Sequence, residues 1–190
     1  MPWASYYSAQ FVKPLVRQLA AIIYRDQADA LASVGLAEAK HHFQEFQIAL
    51  APIRNWPCVL IAPASDVFDA GSDLTRKQMV ALFVAAGVTH SDPNLLAELA
   101  EDYALALDRI VNSVALADFY APLQLPPISG FPSPAPTVQM DGSITNVTRL
   151  FVASIDYDEL RRARSSLLAM LVTLVVTVEM EEGNPLVTTK

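Results

Sequence analysis

Residues 167–178 read Leu-Leu-Ala-Met-Leu-Val-Thr-Leu-Val-Val-Thr-Val, a run without a charge between Arg164-Ser165-Ser166 and Glu179. A membrane-spanning helix needs about 20 such residues, so this run is too short to cross a bilayer as a helix. Val172, Thr173, Val175, Val176, Thr177 and Val178 are β-branched, stiff at χ1 and suited to a pleated surface. The run therefore reads as a strand, over roughly 167–181. Working back from it, residues 146–155 read as another strand. The stretch between the two, Asp156-Tyr157-Asp158-Glu159 followed by Arg161, Arg162 and Arg164, reads as a polar connection.

Upstream lies a proline-rich stretch containing Pro122, Pro126, Pro127, Pro132, Pro134 and Pro136. Proline fixes φ and removes a backbone donor, so residues 118–145 are expected to form one long extended loop. Its apolar members Phe119, Tyr120, Leu123, Leu125, Ile128 and Phe131 imply that it docks, either on its own domain or on a neighbouring subunit. Before the loop, Ser91-Asp92-Pro93 starts a helix: Asp92 caps it and Pro93 takes the first helical position. Leu95, Leu96, Leu99, Tyr103, Leu107, Ile110 and Val114 continue it at spacings of three and four, with Glu98, Glu101, Asp102 and Asp108 off the stripe.

The first half of the chain divides in the same way. Residues 6–33 read as a helix with Phe11, Val12, Leu15, Val16, Leu19, Ile22 and Ile23 on one stripe. Pro14 belongs in its first turn or marks a break, and Gly35 ends it. From His42 the period becomes two, with Phe46, Ile48 and Leu50 on one side of a strand. Residues 52–57 (PIRNWP) form a turn, and Cys58-Val59-Leu60-Ile61-Ala62 is a short buried strand. Residues 65–75, with Asp66, Asp69, Gly71, Ser72 and Asp73, read as a polar loop, and 78–88 as a third strand, although the period alone also fits a helix. The order is α-β-β-β-α-β-β. Sequential strands joined by short turns imply antiparallel pairing, hence an α+β fold with a mostly antiparallel sheet of about five strands and two main helices, as a single domain over 1–190.

Composition narrows the function. Of 190 residues, 53% are hydrophobic and only 17% charged, against roughly 25% charged in a typical soluble domain. Disorder needs the opposite balance. The N-terminal MPWASYYSAQFVKPL lacks a basic region followed by an apolar stretch, so no signal peptide is expected, and no membrane partner. The Asn146-Val147-Thr148 sequon is then incidental. A net charge of -7 argues against a basic face that grips phosphates. The surplus of apolar surface points instead to other protein, in an oligomer or a larger assembly.

No chemistry stands out. The one cysteine, Cys58, lies in an apolar strand, where burial raises a thiol's pKa and leaves it inert. His41 and His42 are adjacent and would point to opposite faces of a strand, and no metal-ligand spacing joins them to His90. Asp156, Asp158 and Glu159 could hold a cation on a strand face, but the arginines that follow neutralise them more simply. Glu179, Glu181 and Glu182 blunt the end of the last strand. No glycine-rich phosphate loop or nucleophile elbow is present, and His90-Ser91-Asp92 is better explained as a helix cap. The sequence implies no enzyme, no metal and no cofactor.

The element order and local text resemble the tail terminators and related neck or tail-completion proteins of long-tailed bacteriophages. The resemblance rests on Pro57-Cys58-Val59-Leu60-Ile61-Ala62-Pro63 after an opening helix, and on the strand 79–88 leading into the Asp92-Pro93 helix. The long apolar strand 167–178 completes it. It spans nearly the whole chain, although the proline-rich stretch has no counterpart in the pattern. It implies a virion protein, assembled in the host cytoplasm, that forms a homo-oligomeric ring, typically a hexamer, at the head-proximal end of the tail. Such a ring stops tube polymerisation and contacts the tail tube, sheath and neck or connector proteins. DNA passes through its lumen without specific binding. Candidate interface residues are Arg161, Arg162, Arg164, Phe119, Tyr120, Phe131, Trp3, Tyr6 and Tyr7. The competing readings are another phage connector, a generic oligomeric module, and a small enzyme using Asp156, Asp158 or His90.

Overall fold

A computed structural model describes residues 3–39, 43–45, 56–72, 75–124, 145–161 and 168–183. In chain order these form α1 (Trp3–Ala32), β1 (Phe43–Glu45), β2 (Cys58–Ser72), β3 (Thr75–His90) and α2 (Pro93–Ser113). A 3-10 turn (Leu116–Tyr120), β4 (Thr145–Arg161) and β5 (Leu168–Gly183) follow. The strands make one sheet in the order β1-β2-β3-β5-β4. The class is α+β, with two helices against a largely antiparallel sheet.

The apolar run at 167–178 is explained by its place. β5 pairs antiparallel with β3 on one side and β4 on the other, so it is an interior strand. Val172, Leu174, Val176, Val178 and Met180 face the helices and are buried, as is Leu171 on the opposite face. Helix α2 packs over β3, β5 and β4, and α1 packs on α2 and β2.

Helix α1 buries Leu15, Leu19, Ile22 and Ile23 completely. The stripe also carries two buried amides, each anchored to a neighbouring segment. Gln18 Nε2 donates to the Ala121 carbonyl at 3.0 Å, and Gln27 Oε1 accepts from the Ala39 N–H at 3.0 Å. Pro14 is neither in the first turn nor at a break. It lies within α1, which begins at Trp3, and burial of Leu15, Val16 and Leu19 just beyond it holds the helix together despite one missing bond. The C-terminus closes as a Schellman motif: the Leu36 N–H bonds to the Leu31 carbonyl at 3.0 Å and the Gly35 N–H to Ala32 at 3.2 Å. Gly35 supplies the positive φ, 73°, that this turn requires.

Two expectations are corrected. The polar loop expected over 65–75 gives way to strand: β2 runs on to Ser72, which pairs with Thr75 of β3, with register shifts between Pro63 and Ser65 and between Asp69 and Ser72. Such irregularities are where a sheet accommodates a proline that cannot donate. Second, Asp156-Tyr157-Asp158-Glu159 is no connection but the continuation of β4, paired with β5 as far as Arg161. The mostly antiparallel sheet holds one parallel pair: β1 runs along β2, pairing Phe43 with Val59 and Glu45 with Ile61. The strand expected at 46–50 lies outside the described residues.

Helix α2 starts as its sequence implies. Asp92 Oδ1 accepts from the Asn94 N–H at 2.8 Å and the Leu95 N–H at 3.4 Å, and Pro93 follows. His90 Nδ1 accepts from the Asp92 N–H at 2.9 Å, so His90-Ser91-Asp92 is a cap. No helix among the described residues is long and apolar enough to cross a membrane.

Candidate assembly surface

Alternation along the strands separates the two faces of the sheet. On β3, Val80, Leu82, Val84, Ala86 and Val88 turn toward the helices and are all buried in the main core. Ala81, Phe83, Ala85 and Gly87 take the other face. There Cys58, Leu60, Ala85 and Leu171 form a small second cluster against which Trp56 packs. Beyond this cluster the face is open among the described residues. Phe83, Val175 and Phe151 are half-buried, and Met79 is 42% exposed.

The cross-strand register places these residues together. Phe83 opposes Val175, which opposes Ser154, and Ala81 opposes Thr177, which opposes Phe151. Arg149 lies 4.6 Å from the Phe151 ring centroid and 3.8 Å from Glu179, at the border of this apolar group. Asp156 and Asp158, both exposed, stand on the same face of β4. An apolar patch rimmed by charges is the usual form of a protein contact surface.

On the helix side of β4 a second apolar feature appears. Ile155 and Tyr157 are 37% and 50% exposed, although they oppose Leu174 and Val172, which are fully buried. Sequence reasoning missed both residues. The signal was present in the alternation Ile155-Asp156-Tyr157-Asp158, an apolar/acidic period of two that belongs to a strand with two unlike faces.

The structure disperses the residues expected at a subunit interface. Phe119 is 0% exposed within the 3-10 turn and belongs to the main core, so it offers no surface to a second subunit. Tyr120 is half-buried, and its hydroxyl accepts from the Val147 N–H at 2.6 Å. Leu123 packs on the same core. The start of the proline-rich segment therefore docks on its own chain, because these side chains complete the open end of the helix–sheet sandwich. Phe131, Arg162 and Arg164 lie outside the described residues, as do His41 and His42. Trp3, Tyr6 and Tyr7 sit in the first turns of α1, and Arg161 ends β4.

Arg25 joins Asp26 at 2.6 Å and Asp118 at 2.8 Å, tying α1 to the 3-10 turn, and these hydrogen bonds hold the guanidinium more firmly charged. An open cleft of ≈ 210 Å³ lies between the end of α1, Trp56 and α2. Among the described residues that line it, Tyr103 is the titratable one. Cys58 is buried beside it. Among the described residues no group of three or more His, Cys, Asp and Glu side chains could hold a metal ion.

Tyr103 donates to the Ala37 carbonyl, and burial, with a smaller effect of Cys58, pushes its pKa from 10.0 up to about 12. Between those values the native chain keeps a proton that the unfolded chain releases. Its contribution is complete below pH 10 and declines as pH rises toward 12. Tyr103→Phe is expected to be less stable at neutral pH, through the lost bond, but to lose stability less steeply over that alkaline interval. Urea midpoints measured across the interval test this, and equal slopes for both proteins would refute it.

No family model and no curated protein matches the chain. Among solved structures it is similar to a chain of the "Virion of native gene transfer agent (GTA) particle", with 14% identity and a TM-score of 0.46, over 90% of this chain and 98% of that one.

Proposed function

We propose that this chain is a virion structural protein, resembling phage tail terminators, that closes into a ring at the head-proximal end of a tail. There it stops tube polymerisation and docks the neck. The observation that supports this best is the sheet itself. Helices α1 and α2 cover one side, while the other presents Phe83, Val175, Phe151 and Met79 with no described element over them. A chain that is 53% hydrophobic and 17% charged has little other means of hiding such a face than contact with protein. The element order and the apolar strand text add their resemblance to the terminator pattern. A heterologous interface that closes on itself gives a ring. With net charge -7, the ring would give DNA no basic lumen to adhere to. The role proposed is structural rather than catalytic.

Light scattering behind a sizing column, with negative-stain imaging of the same fraction, tests the ring. A closed ring of about six subunits is the outcome expected of this resemblance and of cyclic symmetry. Tail tubes polymerised in its presence should then end at a capped terminus. A monodisperse monomer that also leaves tube length unchanged would overturn the reading.

A further inference from the structure

β4 is the end strand in the order β1-β2-β3-β5-β4, and the exposure along it tells which part of its outer side is covered. The start is closed. Val147 is buried, and its N–H is taken by the Tyr120 hydroxyl of the 3-10 turn at 2.6 Å. Past that point the strand opens. Thr148 and Arg149 are exposed, residues 150–152 are half-buried, and every residue from Ala153 to Asp158 is exposed. Successive residues of a strand point to opposite faces, so such a run leaves both faces of β4 uncovered over that stretch. Open strand borders template further pairing, and lysine or proline commonly guards them. Residues 148–158 contain neither.

This open stretch is its own complement, with β5 as the common scale of position. Ser154 stands opposite Val175. Equally far to either side of it stand Val152 and Ile155, then Leu150 and Tyr157, then Arg149 and Asp158, opposite Glu179 and Leu171. A twofold axis at Ser154 therefore sets β4 antiparallel to a second β4 with each residue facing the other member of its pair. On the helix side Ile155 meets Val152 and Tyr157 meets Leu150, so the exposed apolar side chains are covered by half-buried ones. On the other face Arg149, whose side chain is 63% exposed, meets Asp158 and lies diagonal to Asp156. Ala153, the extra residue at the register shift, falls beside the axis in both strands, so the two bend alike. Neighbouring registers fit less well. An axis at Asp156 would oppose two carboxylates. An axis at Val152 would bring Tyr157 to Val147, where the Tyr120 hydroxyl already occupies the border.

We propose that β4 is a self-pairing border, through which two copies join as antiparallel strands about a twofold axis at Ser154. The contact is separate from the ring interface proposed above. It closes with two copies, and it joins two single chains or two rings alike.

The test uses the full chain with Ser154→Cys. At the axis of an antiparallel pair, facing Cα atoms lie about 4.5–5.5 Å apart, within disulfide reach. Cys58 is buried and stays out of the reaction. Mild oxidation of dilute protein should give covalent dimers and nothing larger on a denaturing gel. Glu98→Cys, exposed on α2, should remain single under the same conditions. Equal dimer yields from the two variants would mark random collision and overturn the proposal. So would a Ser154→Cys protein that stays single, and rings seen by light scattering in that case would leave the ring reading standing without it. As a second measurement, Arg149→Glu in the Ser154→Cys background brings like charges together twice per pair and should slow cross-linking by about tenfold or more. Adding Asp158→Arg restores opposite charges and should recover the rate. A triple variant as slow as the double would overturn the proposal.

Discussion

Phe119→Ala is expected to lower stability by about 3–5 kcal/mol, the range for truncating a fully buried aromatic. The phenyl ring is 0% exposed and lies in the core shared by both helices and the sheet. It reaches that core from a five-residue 3-10 turn just after α2. Such a turn is too short to hold its own shape, and it is tied to the fold by Phe119, by the packing of Leu116 and Tyr120, by the Arg25–Asp118 pair, and by hydrogen bonds at Tyr120 and Ala121. The exposed ion pair contributes little, and of the side chains that pack, Phe119 is the fully buried one. Equilibrium urea unfolding of the variant checks this. A loss under about 1 kcal/mol, outside the range for a buried aromatic, would mean that the ring's environment is not the chain's own core.

Gly87→Ala is the second large effect, expected at about 1–3 kcal/mol as an overpacking cost. A Cβ there would stand 2.5 Å from Trp56 Cζ3 and 2.6 Å from Cys58 Sγ. Both neighbours belong to the small cluster on the open face of the sheet, so neither can withdraw without unpacking it. Loss of glycine also reduces the freedom of the unfolded chain, which offsets about 0.4–1 kcal/mol. The net change is destabilising and appears as a drop of several degrees in Tm. Adding Cys58→Ala to Gly87→Ala should recover part of it, because the two changes share one contact and are not additive. A Gly87→Ala protein as stable as the parent would show that Trp56 moves aside freely.

Both residues show how much a sequence reading could reach. The α2 helix was legible because its signals are local: Asp92 caps, Pro93 follows, and the leucine spacing does the rest. The strand at 167–178 was legible because six of the seven residues from Val172 to Val178 are β-branched. The extent of β2, β3 and β4 was not. Turn-forming residues such as Asp69, Gly71 and Ser72 sit inside β2, where pairing with a neighbouring strand outweighs their local preference. β1 was unreadable as a parallel strand, since three residues carry no direction. For Phe119 the sequence left docking on its own domain and docking on a neighbouring subunit both open, because proline-rich text surrounds it. Burial there is decided by the distant partners α1 and β4, which no local window contains. For the assembly surface, composition indicated that apolar area had to be hidden but not where. Ile155 and Tyr157 became visible only once β4 was seen to lie at the border of the sheet.

The central position of β5 also sets an order of events during synthesis. β2 and β3 leave the ribosome together as a local hairpin, and both helices precede β4. Yet the inner side of β3 has no partner until the last described strand is made: Thr75 waits for Gly183 and Val84 for Leu174. Contacts that separate so far in sequence form slowly. Meanwhile the nascent chain holds an open hairpin border beside Val80, Leu82 and Val84, the arrangement most prone to pairing with the wrong strand. A translational pause before Leu168 would prolong that exposure, and a chaperone that shields strand borders would act during this interval.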